Sequence, residues 1–421
     1  MSAPEPGVER ALAASFREDW GRVVAALIGV TGDWDLAEES AQEAFATASV
    51  TWRRDGVPDR PRAWLMATAR NRAVDRIRRD RVGAAKLREL AAASRTYDTD
   101  AEAVDWDALE SGIADERLRL IFTCCHPALA FESQVTLALR TLCGLTTAEI
   151  AHAFGVPEPT MAKRLVRTKQ KITTAGIPYR VPPSHLLQQR TTAVLGVLYL
   201  LFNEGYAASS GPALVRRELC EQAVRLAAIL AQLMPEHPEA GGLLALVRLQ
   251  YARSAARVDA DGVLVPLEEQ DRSRWDTRLI EAGVATLRRA LRRERVGPYQ
   301  LQALIAACHA TAAGPADTDW RQIVALYDEL AAIVPSATVR LNRTVAVAMR
   351  DGPQAGLDLL DDLAASGELT GHRLLPAVRA DLLRRTGRPA EAAGAYERAL
   401  AATANEAERA YLRRRLAECR A

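Results

Sequence analysis

The stretch Leu145–Ile172, LTTAEIAHAFGVPEPTMAKRLVRTKQKI, admits few folds. Thr146 and Glu149 stand three apart just ahead of the apolar positions Ile150, Ala151 and Phe154, the pattern of a capping box at a helix start. Gly155 stands where a helix C-terminus wants a left-handed residue. Pro159 suits the first turn of a second helix, along which Met161, Leu165, Thr168 and Ile172 recur at steps of four, three and four and so share one face. At about 100° per residue, Lys163, Arg167 and Gln170 project on the opposite side. Two helices joined by a short turn, the second apolar beneath and cationic above, make a helix-turn-helix whose second helix fits a DNA major groove. Taken alone, the segment also reads as a helical hairpin with a solvated basic face.

Charge is sorted along the chain far more strongly than the net value of +2 suggests. Residues 1–50 carry nine acids and three bases, and residues 51–90 carry twelve Lys or Arg against five acids. Residues 91–117 return to acid, eight against two, before the basic segment 158–180. Two basic islands separated by an acidic spacer suggest two contacts on one polyanion. No apolar run approaches the roughly 18 residues of a membrane span, and MSAPEPGVER lacks the basic and apolar order of a signal peptide, so a cytoplasmic protein is expected. Six cysteines without a regular framework fit reduced, buried thiols.

The whole chain reads as helical, and its 421 residues give room for several domains. Val8–Gly29, Asp35–Trp52 and Arg62–Arg81 carry helical periodicity, with Asp33 or Asp35 placed to cap the second, and Arg53–Pro61 reads as a loop. In the third helix Leu65, Ala69, Ala73 and Ile77 form an apolar stripe, while Arg72, Arg76 and Arg79 form a cationic one. Residues 83–114, with the polar stretch Ser94–Asp107, read as an acidic flexible linker. A second helical unit spans 115–176, and the proline-rich run at 177–189 reads as a boundary. Residues 190–421 form a Leu- and Ala-rich helical array. Within it, Ala380, Leu383, Gly387, Ala392, Tyr396, Ala399 and Leu400 have the spacing of a tetratricopeptide repeat, with Ala404 where that pattern usually has proline, so a degenerate repeat array is expected and unrelated helical hairpins are the alternative.

Three segments together resemble bacterial sigma factors of the extracytoplasmic-function type. DWDLAEESAQEAF, Asp33–Phe45, is similar to regions 2.1 and 2.2, RAWLMATARNRAVDRIRRDR, Arg62–Arg81, to regions 2.3 and 2.4, and the helix-turn-helix to region 4. With LYLLFNEGY at Leu198–Tyr206, the chain resembles the subgroup bearing a C-terminal tetratricopeptide-like extension. The resemblance implies an all-α protein: a region 2 bundle over 1–82, a region 4 helix-turn-helix domain over 115–176, and a TPR-like helical regulatory domain over 190–421. It implies core RNA polymerase and promoter DNA as partners, no membrane and no cofactor, with a regulatory protein or ligand at the C-terminal domain. By position, Asp35, Glu38, Glu39, Gln42 and Glu43 would meet polymerase. Arg53, Arg54, Asp55, Asn71, Arg72, Arg76 and Arg79 would meet the promoter −10 element, where extruding a base costs on the order of a few kcal/mol. Thr160, Lys163, Arg164, Arg167 and Gln170 would read the −35 element. Asn203, Glu204 and Tyr206 would help seat the extension.

The residues leave simpler roles open. Trp64 beside Leu65 suits a core position as well as a melting wedge. Asn71 suits a cap or bridge within the bundle as well as a base edge, and the acids of Asp35–Glu43 suit an ordinary solvated face. Asn203 and Glu204 can satisfy backbone groups freed where Gly205 ends a helix. Cys124, Cys125 and His126 are metal-ligating types, but adjacent cysteines rarely close one tetrahedral site and no paired C-x-x-C follows, so buried small residues are expected and no metal. No Gly-rich phosphate loop, paired-carboxylate motif or nucleophile elbow is present, which argues against an enzyme. A stand-alone helix-turn-helix regulator with a C-terminal sensor, and a protein-binding scaffold, are the competing functions.

Overall fold

Apolar residues at helical spacing fold the first half into layers of helices. The computed structural model describes residues 6–91, 113–154, 156–292, 296–367, 369 and 371–421. It divides into two compact units, Met1–Val197 and Leu198–Ala421.

In the first unit α1 (Pro6–Thr31), α2 (Trp34–Asp55) and α3 (Pro61–Ala91) pack on one another. Of the two aspartates able to cap α2, Asp33 does so: its Oδ1 accepts from the amides of Asp35 at 2.9 Å and Leu36 at 3.0 Å. Phe16, Trp20 and Phe45 meet ring to ring between α1 and α2, and Leu65, Ala69 and Ala73 bury the apolar stripe of α3. Helix α3 runs on to Ala91, past the position where a linker is expected. Its last stretch, GAAKLRELA, is built almost wholly of strong helix formers, which explains the continuation. The polar stretch Ser94–Asp107 lies outside the described residues.

The chain resumes with α4 (Ile113–Cys124), α5 (Phe131–Thr141), α6 (Thr147–Phe154) and α7 (Glu158–Thr174). Helices α4 and α5 pack on α1, and α7 packs on α5 and α6. Gly21 permits this approach, since a Cβ there would stand 2.7 Å from the Leu142 carbonyl oxygen. Part of the expected boundary at 177–189 is docked against this unit. Ile177 is buried, Tyr179 donates its hydroxyl to the Ala25 carbonyl at 2.8 Å, and its ring meets Trp34 edge-on. Helix α8 (Ser184–Tyr206) then begins directly after Pro182 and Pro183, so 184–189 are helical. Proline holds the residue before it extended and suits a helix entry, which is why this run reads as a linker in sequence.

The second unit takes the end of α8 and continues with α9 (Arg217–Leu233), α10 (Pro238–Tyr251), α11 (Thr277–Ala290), α12 (Pro298–Thr311), α13 (Trp320–Ile333), α14 (Ala337–Asp351), α15 (Pro353–Ala365), α16 (Leu375–Arg385), α17 (Pro389–Ala402) and α18 (Glu406–Arg420). Successive helices pack in pairs from α9 through α18. The spacing at Ala380–Leu400 becomes a hairpin in which Ala380, Leu383, Ala392, Tyr396 and Ala399 share one core cluster, with Gly387 turning at φ +74° between α16 and α17. Ala404, the position without proline, pairs with Ser210 in a two-residue parallel β contact. Gly205 departs from expectation: it lies inside α8 and does not end it in a left-handed conformation. Its need is steric, because a Cβ would meet the Cys220 amide nitrogen at 2.8 Å and Leu219 at 3.0 Å. Among the described residues no helix is long and apolar enough to cross a membrane.

Candidate nucleic-acid interface

The helix-turn-helix is built as its sequence spacing requires. Thr146 donates its amide to Glu149 Oε2 at 2.7 Å, and the Glu149 amide donates back to Thr146 Oγ1 at 3.1 Å, completing the capping box of α6. The Val156 amide reaches the Ala151 carbonyl, and those of Thr160 and Met161 reach Pro157, which turns the chain into α7. Gly155 lies outside the described residues. Met161, Leu165, Thr168 and Ile172 are buried, and Thr168 hides its hydroxyl by donating to the Arg164 carbonyl.

Opposite that face, Thr160, Lys163, Arg167 and Gln170 are exposed and Arg164 is half-buried. Lys163, Arg164 and Arg167 make no ion pair among the described residues. Three such cations on one side of a helix anchored by its buried face are what phosphate and base-edge contacts require.

A third side of α7 is occupied. Lys169, only 15% exposed, sets its Nζ 2.7 Å from Asp35 Oδ1 and 3.0 Å from Glu38 Oε1 on α2. Arg140 of α5 donates its Nε to Glu38 Oε2 at 2.9 Å and a guanidinium N–H to the Leu145 carbonyl. Glu38 is therefore buried between two cations, while Asp35, Glu39 and Gln42 are exposed and Glu43 is half-buried. Neither Lys169 nor Arg140 stands out in the sequence, because their partner lies over a hundred positions away and belongs to a different module.

On α3, Asn71 is exposed and makes no side-chain hydrogen bond among the described residues, so it neither caps nor bridges the bundle. Arg72 and Arg76 reach across to Glu43 and Glu39 of α2 at 3.6 and 3.3 Å, and Arg79 reaches the Asp75 carbonyl. These pairs are solvent-accessible, the kind worth only about 0–1 kcal/mol, and phosphates can replace the carboxylates at little cost. At the end of α2, Arg53 pairs with Glu9 and Arg54 grips its neighbour Asp55 through two bonds of 2.7 and 2.8 Å. That contact holds the Asp55 carboxyl below its ordinary range. Trp64 packs edge-on against buried Trp52 and is half-buried.

Asn203, Glu204 and Tyr206 make their observed contacts within the second unit. Glu204 pairs with Arg216 at 3.0 Å, Tyr206 stacks on Phe202, and the Arg257 guanidinium lies 3.8 Å from the Tyr206 ring centre. Cys124, Cys125 and Cys143 are buried, and burial pushes the Cys125 thiol up to about 12. His126 Nδ1 accepts from the Ala128 amide, and no group of three or more metal-ligating side chains converges among the described residues.

Fold and site together define a helical protein with a helix-turn-helix whose outer face is cationic. Residues 16–82 match sigma-70 region 2, residues 119–172 match sigma-70 region 4, and residues 190–291 match a family of unknown function, DUF6596. An uncharacterized protein of Rhizobium meliloti (strain 1021) is 42% identical over 397 residues, 94% of this chain and 92% of that one. ECF RNA polymerase sigma factor SigK of Mycobacterium ulcerans (strain Agy99) is 29% identical over 164 residues, 38% of this chain and 82% of its own. No solved structure matches. The chain belongs to the extracytoplasmic-function sigma factors and carries a C-terminal extension. Sigma factors of these families are transcription initiation factors without enzymatic activity.

Proposed function

We propose that this chain binds core RNA polymerase in the cytoplasm and directs it to two-part promoters, with α7 reading the −35 element and α3 with the end of α2 engaging the −10 element. The observation that carries this reading is the face of α7 bearing Lys163, Arg164 and Arg167, three cations without carboxylate partners among the described residues, beside a core face that fixes their direction. Asn71 supports the −10 assignment, being an exposed amide with unused donor and acceptor groups between cations. Exposed Asp35, Glu39, Gln42 and half-buried Glu43 would meet polymerase, and release of Lys169 from α2 would free the Asp35 carboxylate for the same contact. The test is run-off transcription by core polymerase supplemented with the full chain. Promoter-selective transcription is expected, and selective duplex binding by the chain alone with none added by polymerase would favour a stand-alone regulator.

The C-terminal extension regulates this activity in our reading, because it is covalently present in every molecule and carries its own cores. Equal transcription by the full chain and by one ending at Val197 would remove that role.

A further inference from the structure

Arg272 has no carboxylate partner among the described residues. Among the described residues its hydrogen bonds are two, both from Nη1, to the carbonyl oxygens of His309 at 2.8 Å and Ala312 at 2.6 Å. Its Nε is buried without a partner, its guanidinium lies 4.6 Å from the Trp275 ring centre, and no carboxylate comes within 4.0 Å. Asp317 acts on it only from beyond that distance. Arg253, likewise without a carboxylate partner, sits on the same Trp275 ring at 5.8 Å. Burial and these two guanidinium charges push the His309 imidazole down to about 4, so the ring stays neutral near pH 7.

Arg272 and His309 line a cavity of about 700 Å³ whose other walls include Trp320, Ile323, Tyr327 and Met349. Arg385, also on the wall, is already matched by Asp381 at 2.6 Å and by Glu268. A space of this size, mostly apolar with a few fixed polar groups, is that of a small-molecule site. Its charge balance asks for one negative group at Arg272, whose Nη2 makes no hydrogen bond among the described residues and can donate a charge-assisted one to a carboxylate. Its aromatic and thioether walls ask for a flat apolar body.

We propose that the second unit binds an amphipathic organic monoanion, an aromatic carboxylate, with the carboxylate on Arg272 and the ring system against Trp320, Tyr327 and Met349. The site stands on the second unit by itself and does not depend on how the first unit meets DNA.

Isothermal titration of the full chain with 1-naphthoate, 1-naphthamide and inorganic phosphate tests it. Naphthoate should bind at one site and at least about tenfold tighter than the neutral amide, the margin expected of a charge-assisted hydrogen-bonded pair. Arg272→Met should erase that preference. Because Arg272 also ties two carbonyls, a second variant is needed: Met349→Trp fills the cavity from a half-buried wall position and should abolish naphthoate binding with the thermal midpoint preserved. Equal affinity for acid and amide, naphthoate binding unaffected by Met349→Trp, or no naphthoate binding at millimolar concentration would each overturn the proposal. Phosphate binding as tight as naphthoate would overturn its apolar half.

Discussion

Lys169 Nζ lies 3.0 Å from Glu38 Oε1, so the helix that carries the cationic face of the helix-turn-helix is clasped to the acidic helix α2. Glu38 is buried and shared with Arg140, and stripping a buried carboxylate of its cations costs about 3–5 kcal/mol. The second arm of the clasp, to exposed Asp35, is worth about 0–1 kcal/mol. The two arms thus differ in kind: one fixes the interior, the other is exchangeable.

Lys169→Ala should therefore loosen α7 from α2 without unfolding the unit, since Arg140 still holds Glu38. Under the proposed function it should strengthen competition for core polymerase by about fivefold, corresponding to ~1 kcal/mol no longer spent on opening the clasp. A competition assay against a second sigma factor measures this, and weaker binding by the variant would show that Lys169 itself serves the complex.

Arg167→Ala and Lys163→Ala should separate base reading from phosphate binding. A guanidinium paired with guanine gives roughly 1–3 kcal/mol of discrimination at one base pair, so Arg167→Ala should relax preference at a single −35 position. Lys163→Ala should lower transcription from all promoters alike and reduce the salt slope of binding by about 0.9. Run-off transcription from a set of single-base promoter variants distinguishes the two. Uniform loss for Arg167→Ala would place it on the backbone.

Gly205→Ala has a sign that discriminates between two roles. In a roomy helix interior the change would stabilise by roughly 0.5–1 kcal/mol. The 2.8 Å approach to the Cys220 amide makes it overpack, costing about 1–3 kcal/mol and lowering the thermal midpoint by several degrees. Calorimetry of the full chain should show the decrease, and an increase would mean that α9 yields.

Thiol reactivity should follow burial. With Cys125 pushed up to about 12, its thiolate fraction at pH 8 is on the order of one in ten thousand, and Cys124, Cys143 and Cys220 are buried as well. In the native chain a disulfide reagent should label half-buried Cys419 and Cys308, with the other four reacting only on unfolding. Rapid labelling of Cys124 or Cys125 in the folded protein would contradict the burial of that pair.

Spacing alone determined the local architecture of this protein. Thr146 and Glu149 close their capping box, and Met161, Leu165, Thr168 and Ile172 turn inward together, because a helix repeats every 3.6 residues and its first turn needs nearby acceptors. The same rule placed Lys163 and Arg167 on the outer side and made α16 and α17 a hairpin around Gly387. Tertiary structure decided what no local rule contains: that Glu38 is sealed between Arg140 and Lys169, that Gly205 makes room for α9, and that Arg272 faces a cavity without a carboxylate partner among the described residues. Those facts depend on which distant side chains the packing of whole helices brings within a few ångströms, and charge pairing and steric contact act over that distance however far apart the residues stand in the chain.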